Sequence, residues 1–184
     1  MVTPRIYTKT GDDGTTGLLY GGRVPKDSRQ IEVNGVVDEA QAALGLARAE
    51  TESDSELDQR LITLARQLYV LMAEVATAPA NRPKLVAGTS LVTQDMVDEL
   101  ERGIDDLIQR FEMPSDFTIP GENRRSAALD LARTIVRRAE RLAVTDRVEG
   151  SLVSTYLNRL SDLLWAMARW QEGSEHMLSR DVTD

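Results

Sequence analysis

The chain has 184 residues and a formal charge of −8, long enough for one domain with a sizeable core and of the wrong sign to attract nucleic acid or an anionic membrane surface. It contains no cysteine and a single histidine, His176, which excludes disulfides, thiolate metal sites, a cysteine nucleophile and a histidine-rich metal cage. There is no run of about 18 apolar residues and no basic-then-apolar leader, so the expectation is a cytoplasmic protein with no membrane partner.

The first thirty residues stand apart from the rest. Thr8 to Gly22 reads TKTGDDGTTGLLYGG, rich in Gly, Thr and Asp and without helical period. Gly11, Gly14, Gly17, Gly21 and Gly22 permit backbone conformations closed to other residues, so the stretch reads as an ordered loop with a short hairpin. Backbone N–H groups and threonine hydroxyls in such a turn can cradle an anion. Neither a Walker A sequence nor a Gly-x-Gly-x-x-Gly fingerprint is present, and taken alone the stretch reads by default as a plain surface turn.

From Gln30 onward the apolar period becomes helical. A first helix is expected over Ile31 to Glu50, with Val33, Val36, Val37, Ala40, Leu44 and Ala47 on one face. A second is expected over Ser55 to Ala78, capped by Ser53 or Asp54 and stopped by Pro79. Pro79 to Gly88 reads as a connecting loop. A third helix is expected over Thr93 to Phe111, then a loop from Met113 to Glu122, a fourth helix over Asn123 to Arg147, and a fifth over Leu152 to Leu178. Five helices with short connections make an all-α bundle: a single domain over 1–184, with residues 1–30 as an N-terminal segment and 31–180 as the bundle.

Helix four carries the most suggestive charge pattern. Arg133, Arg137 and Arg141 recur every four residues beside the apolar face, with Glu140 at its border. Stacked guanidiniums repel one another and become favourable when anions neutralise them; their forked geometry suits phosphate. A solvated face with Asp130 and Glu140 as intrahelical partners accounts for the pattern equally well. On helix five, Asn158, Asp162, Trp165 and Arg169 form a stripe beside the packing face. Asn158 is placed to hydrogen-bond a ribose or base, or simply to solvate a helix start.

Taken together, the motifs say more than any one of them. TKTGDDG (Thr8 to Gly14), PKDS (Pro25 to Ser28), VVDEAQAALG (Val36 to Gly45), RRAER (Arg137 to Arg141) and NRLSDLLW (Asn158 to Trp165) occur in this order. The set resembles the PduO-type ATP:cob(I)alamin adenosyltransferase family over nearly the whole chain. The resemblance implies a five-helix bundle that assembles as a homotrimer with active sites between subunits. It implies that Thr8, Lys9, Thr10 and Gly11 wrap a triphosphate, with Thr16, Gly17 and Lys26 nearby. Arg137, Arg138, Glu140 and Arg141, with Asn158, would complete the nucleotide site from a neighbouring subunit. Arg133 corresponds to an arginine that pairs across the subunit boundary with an acidic residue, here Asp38. Phe117 corresponds to an aromatic that packs under the corrin ring and keeps the lower ligand off cobalt.

The implied reaction moves the 5′-deoxyadenosyl group of ATP to cob(I)alamin and releases triphosphate. Mg²⁺ would enter bound to ATP, with no side-chain ligand assigned. A flavin-dependent reductase and a cobalamin-dependent mutase are the implied protein partners. The chain departs from the family pattern at Gly121-Glu122-Asn123, after the aromatic loop, and at Asp130, where a histidine is frequent nearby. Two other readings fit a helical bundle. One is a non-catalytic corrinoid or ATP carrier or regulator. The other, a di-iron bundle using Glu39, Glu74 and Glu140, fails because it needs Glu-x-x-His motifs on two helices.

Overall fold

The computed structural model describes residues 6–145, 148–174 and 176–180. It is built from five helices and one small hairpin: β1 (Thr15–Gly17), β2 (Arg23–Pro25), α1 (Arg29–Ala49), α2 (Glu56–Val75), α3 (Gln94–Leu107), α4 (Arg124–Thr145) and α5 (Val153–Glu172). α4 lies against both α1 and α5, α3 packs on α5, and α2 packs on α1. The helices start where local chemistry supplies a hydrogen-bond acceptor for their free N–H groups. Ser55 Oγ accepts from the Asp58 amide, Thr93 Oγ1 from the Met96 amide, and Asn123 Oδ1 from the Ser126 amide.

α1 buries the face expected of it, through Val33, Val36, Val37, Ala40, Ala43, Leu44 and Ala47. α5 is different, because its second half is buried on nearly every side. Leu163, Leu164, Ala166, Met167, Ala168 and even Arg169 are all buried. A helix enclosed this way is the centre of the bundle. Each fully buried leucine along it contributes about 1.5–3 kcal/mol of transfer free energy.

Several boundaries differ from expectation. α5 ends at Glu172 rather than Leu178, because Gly173 takes φ 77° and turns the chain out of the helix. Beyond it, Leu178 forms an isolated antiparallel bridge with Thr118. α2 stops at Val75, and α3 at Leu107 rather than Phe111. Most of the expected loop after Pro79 is a 3-10 helix, Pro79–Lys84. α4 runs to Thr145, and the expected end at Arg147 lies outside the described residues.

Two features tie the bundle's connections together. Glu74, 1% exposed, accepts hydrogen bonds from Arg82 Nη2 at 2.9 Å, Ser151 Oγ at 2.6 Å and the Val92 amide at 2.8 Å. One buried carboxylate thereby links the 3-10 helix, the approach to α3 and the α4–α5 turn, its charge compensated by Arg82. The hairpin is stitched to the same end: the Leu19 amide donates to Ala76 O at 2.9 Å, and Asn81 Nδ2 donates to Tyr20 O at 3.2 Å.

Candidate active site

The hairpin carries the N-terminal site residues. β1 and β2 pair antiparallel with Thr16 opposite Val24, and the chain before them folds back across the strands. A cleft results, lined by Thr8, Lys9, Thr10, Gly11, Thr16, Gly17 and Lys26. These are all seven of the N-terminal residues expected in the site. Lys9 adopts φ 61°, a left-handed backbone costly for a residue with a Cβ and sustained only by its surroundings. Gly11 is required by space: a Cβ there would sit 3.0 Å from both Lys26 Nζ and Thr15 O. That approach sets the lysine ammonium directly over the loop backbone.

Arg23 joins this cleft. Its guanidinium donates to Thr15 Oγ1 at 2.9 Å through Nε and also reaches Thr10 O. Asp13 accepts from the Thr15 amide at 2.9 Å and from its hydroxyl at 2.8 Å. Those bonds, with the positive charge of Arg23, hold the Asp13 carboxyl below its ordinary range. Asp13 is therefore an internal brace of the loop. With Arg23 bonded into the loop, the cleft keeps Lys9, Lys26, hydroxyls, backbone groups and the Asp12 carboxylate for a ligand.

The second set of residues lies on α4 and α5. Arg137, Arg138 and Arg141 are exposed. Arg138 pairs with Glu39 of α1. Among the described residues, no ion pair engages Arg137 or Arg141. Glu140 does not serve as their intrahelical partner; it accepts from Asn158 Nδ2 at 2.9 Å, joining α4 to α5. Asn158 Oδ1 in turn accepts from Arg159 at 2.6 Å. Within one chain, no hydrogen bond or ion pair among the described residues joins this set to the N-terminal cleft.

Arg133 is placed differently from its neighbours on the stripe. Its Nε lies 2.9 Å from Asp130 Oδ1, so among the described residues the intrahelical partner holds for this arginine alone. Asp38 is exposed on α1. Asp130 is itself buried and shared with Arg169, whose Nη2 lies 2.6 Å from Oδ2. Arg169 also faces Glu172, with Nε 2.7 Å from Oε2, and donates to Thr118 Oγ1. Its guanidinium lies 5.8 Å from the centre of the Trp165 ring, a cation–π distance.

Phe117 is 81% exposed, on a loop whose backbone is paired with the returning C-terminal segment. The Ile119 amide donates to Met177 O at 2.8 Å, and the Ser179 amide donates to Phe117 O at 2.7 Å. Met113, Ile119 and Met177 are also exposed, giving this end an apolar surface. Sequence reasoning did not single out Arg23, Thr118 or Arg169 as site residues. Arg23 lies three residues before Lys26 in the sequence, but only the fold brings it into the cleft. Arg169 had one usable signal, since it sits between Ala168 and Trp170 on a helix apolar around most of its girth.

A family model described as cobalamin adenosyltransferase matches residues 6–171. The chain belongs to the cobalamin adenosyltransferase family. The match takes in both the N-terminal cleft and the α4–α5 arginine set. A corrinoid adenosyltransferase from Citrobacter freundii is 39% identical over 171 residues, covering 91% of this chain and 95% of that one. One from Mycobacterium tuberculosis strain H37Rv is 36% identical over 189 residues, covering 95% and 97%. Among solved structures, a variant PduO-type ATP:corrinoid adenosyltransferase from Lactobacillus reuteri, complexed with cobalamin and ATP, superposes with a TM-score of 0.84. It is 29% identical, with 96% of this chain and 97% of that one covered.

Proposed function

We propose that this family member transfers the 5′-deoxyadenosyl group of ATP to the cobalt of cob(I)alamin, forming adenosylcobalamin and releasing triphosphate. The reading is carried by one observation: on a chain of this family, a cleft is lined by three cations, threonine hydroxyls and backbone groups but by no cysteine or histidine. Cob(I)alamin is itself the nucleophile, so the protein need supply neither an attacking side chain nor a general base. Its task is to hold the polyphosphate and stabilise the charge that gathers on triphosphate as the C5′–O bond breaks.

In this reading Thr8, Lys9, Thr10 and Gly11 wrap the triphosphate, with Thr16, Gly17, Arg23 and Lys26 completing the cradle. Arg137, Arg138, Glu140, Arg141 and Asn158 approach from a neighbouring subunit of a homotrimer. The separation of the two sets within one chain supports that arrangement. Asp38 would meet Arg133 across the same boundary. Phe117, exposed on an apolar loop, would face the corrin ring and exclude the lower ligand, making cob(II)alamin easier to reduce.

Mg²⁺ fits as an ion carried by ATP. Asp13 is committed to Thr15 and Arg23, while the Asp12 carboxylate lines the cleft, so that carboxylate, hydroxyls and water are the outer partners for a metal bound to phosphate oxygens. Bound there, Mg²⁺ would neutralise charge on the leaving triphosphate. The chain would work as one domain, with residues 1–30 as its ATP-binding segment. Among the described residues no helix is long and apolar enough to cross a membrane. A cytoplasmic location, a flavin-dependent reductase as electron donor and a cobalamin-dependent mutase as recipient complete the proposal.

The test is an anaerobic incubation with ATP, Mg²⁺ and cob(I)alamin under strong reductant, followed by the visible spectrum and triphosphate assay. Adenosylcobalamin and triphosphate in equal amounts are the expected products. Stoichiometric binding of ATP or corrinoid with neither product would make the protein a carrier or regulator instead.

A further inference from the structure

Between Asp116 and Ile119 the chain alternates: Asp116 and Thr118 are half-buried, whereas Phe117 and Ile119 are exposed. That is the alternation of a short extended segment, in which successive side chains point to opposite sides. The bridge from Thr118 to Leu178 fixes which side chains share a side but not how that side is held against the bundle. The inward anchor is Thr118 Oγ1, which accepts from Arg169 Nη1. Arg169 is 1% exposed, sits on the central helix and cannot follow solvent. Its Nη2 holds both Asp130 at 2.6 Å and Glu172 at 2.8 Å. The other carboxylate oxygen of Asp130 holds Arg133. One buried guanidinium therefore touches the segment bearing Phe117 and, through Asp130, the arginine at the start of the α4 stripe.

We propose that Arg169 and Thr118 are positioning residues for the adenosyl transfer: the buried guanidinium draws Thr118 inward, which turns Phe117 toward the corrinoid, and the same group orients Arg133 through Asp130. This rests on the corrinoid-facing role proposed above for Phe117. Neither residue touches the reacting atoms. Asp130, a departure from the family's usual pattern, is the carboxylate that makes the connection. A hydrogen bond from an ionised donor is shorter and roughly twice as strong as a neutral one, which suits it to holding one side of this segment against the bundle.

Thr118→Val removes the accepting oxygen and keeps the β-branched shape, whereas Thr118→Ser keeps the oxygen. Three measurements apply to each variant: the visible spectrum of bound cob(II)alamin with ATP, which reports whether cobalt keeps its lower ligand; rates starting from cob(II)alamin and from cob(I)alamin; and thermal melting. Thr118→Val is expected to retain more lower ligand and to lose roughly tenfold in the rate from cob(II)alamin, more than in the rate from cob(I)alamin. Thr118→Ser is expected to restore both. A lowered melting temperature with a native spectrum would make Thr118 merely structural and overturn the proposal, as would failure of serine to rescue. Phe117→Ala separates the two readings. If it alters the spectrum while Thr118→Val does not, only the positioning proposal falls. If it leaves the spectrum native, the role of Phe117 falls and the proposal with it.

Discussion

The first and second halves of α4 carry arginines in opposite circumstances. In the first half, Arg133 is held by Asp130, and Asp130 is held again by the buried Arg169. One turn later Arg137 is exposed, as is Arg141 beyond it, and no ion pair among the described residues engages either. The sequence stripe made the three look equivalent. The difference teaches that regular spacing marks a face, while the partners on neighbouring helices decide whether a charge belongs to the architecture or is held ready for a ligand. Where carboxylates converge, arginine stabilises the fold; where none are supplied, it is available to phosphate.

The comparison breaks most readily at its architectural side. Arg169→Met leaves Asp130 and Glu172 buried without their shared cation, and the expected cost is about 3–5 kcal/mol, read from urea unfolding. A loss below about 1 kcal/mol, in the range of an exposed pair, would show that the network is solvated and contradict the contrast. At the ligand side, Arg137→Ala should lower the rate by roughly 10²-fold or more while its unfolding curve overlays that of the native protein. If stability fell and rate did not, the two halves would have exchanged roles.

Phe117→Ala is a smaller effect and sharpens the contrast at the corrinoid end. The reaction starting from cob(II)alamin should suffer more than the one starting from cob(I)alamin, because only the former needs the lower ligand removed; parallel kinetics would settle it. The smallest effect concerns a surface cluster unrelated to the site. Burial alone raises the Glu56 carboxyl, but hydrogen bonds from Arg60 and Arg110 outweigh it and leave the group below its ordinary range. Asp106 is lowered chiefly by its bond to Arg110. Carboxyls depressed in the folded state stabilise it above their ordinary range, and that contribution is lost as pH falls through the depressed values. Melting temperature should therefore decline slightly on acidification below about pH 4, and Arg110→Ala should flatten the slope.

Much of this molecule was legible before its structure. The apolar period located all five helices, and the Gly/Thr stretch folded into the expected hairpin and gathered Thr8 to Lys26 in one cleft. What escaped reading was mostly long-range. Gly173 was visible, but Met177 and Leu178 continued the apolar pattern past it, and periodicity carries no information about a positive φ. Instead Leu178 bridges Thr118 and Met177 O accepts from the Ile119 amide, a pairing set by tertiary structure. Arg169 looked like one more polar residue beside a packing face, because a wheel shows which side a residue lies on but not whether another helix covers that side. Asp130 was legible as an intrahelical partner for the stripe, but its second partner, Arg169, is on α5, 39 residues away.

The anchoring of the hairpin through Leu19 and Asn81 bears on how tightly a nucleotide can be held. A glycine-rich segment left free would surrender backbone freedom at the moment of association, weakening it by about 1–2 kcal/mol for each residue ordered. Here Thr15 to Pro25 gives up that freedom when the chain folds, so the entropy is lost once, before any encounter, and preorganisation is built into the apo protein.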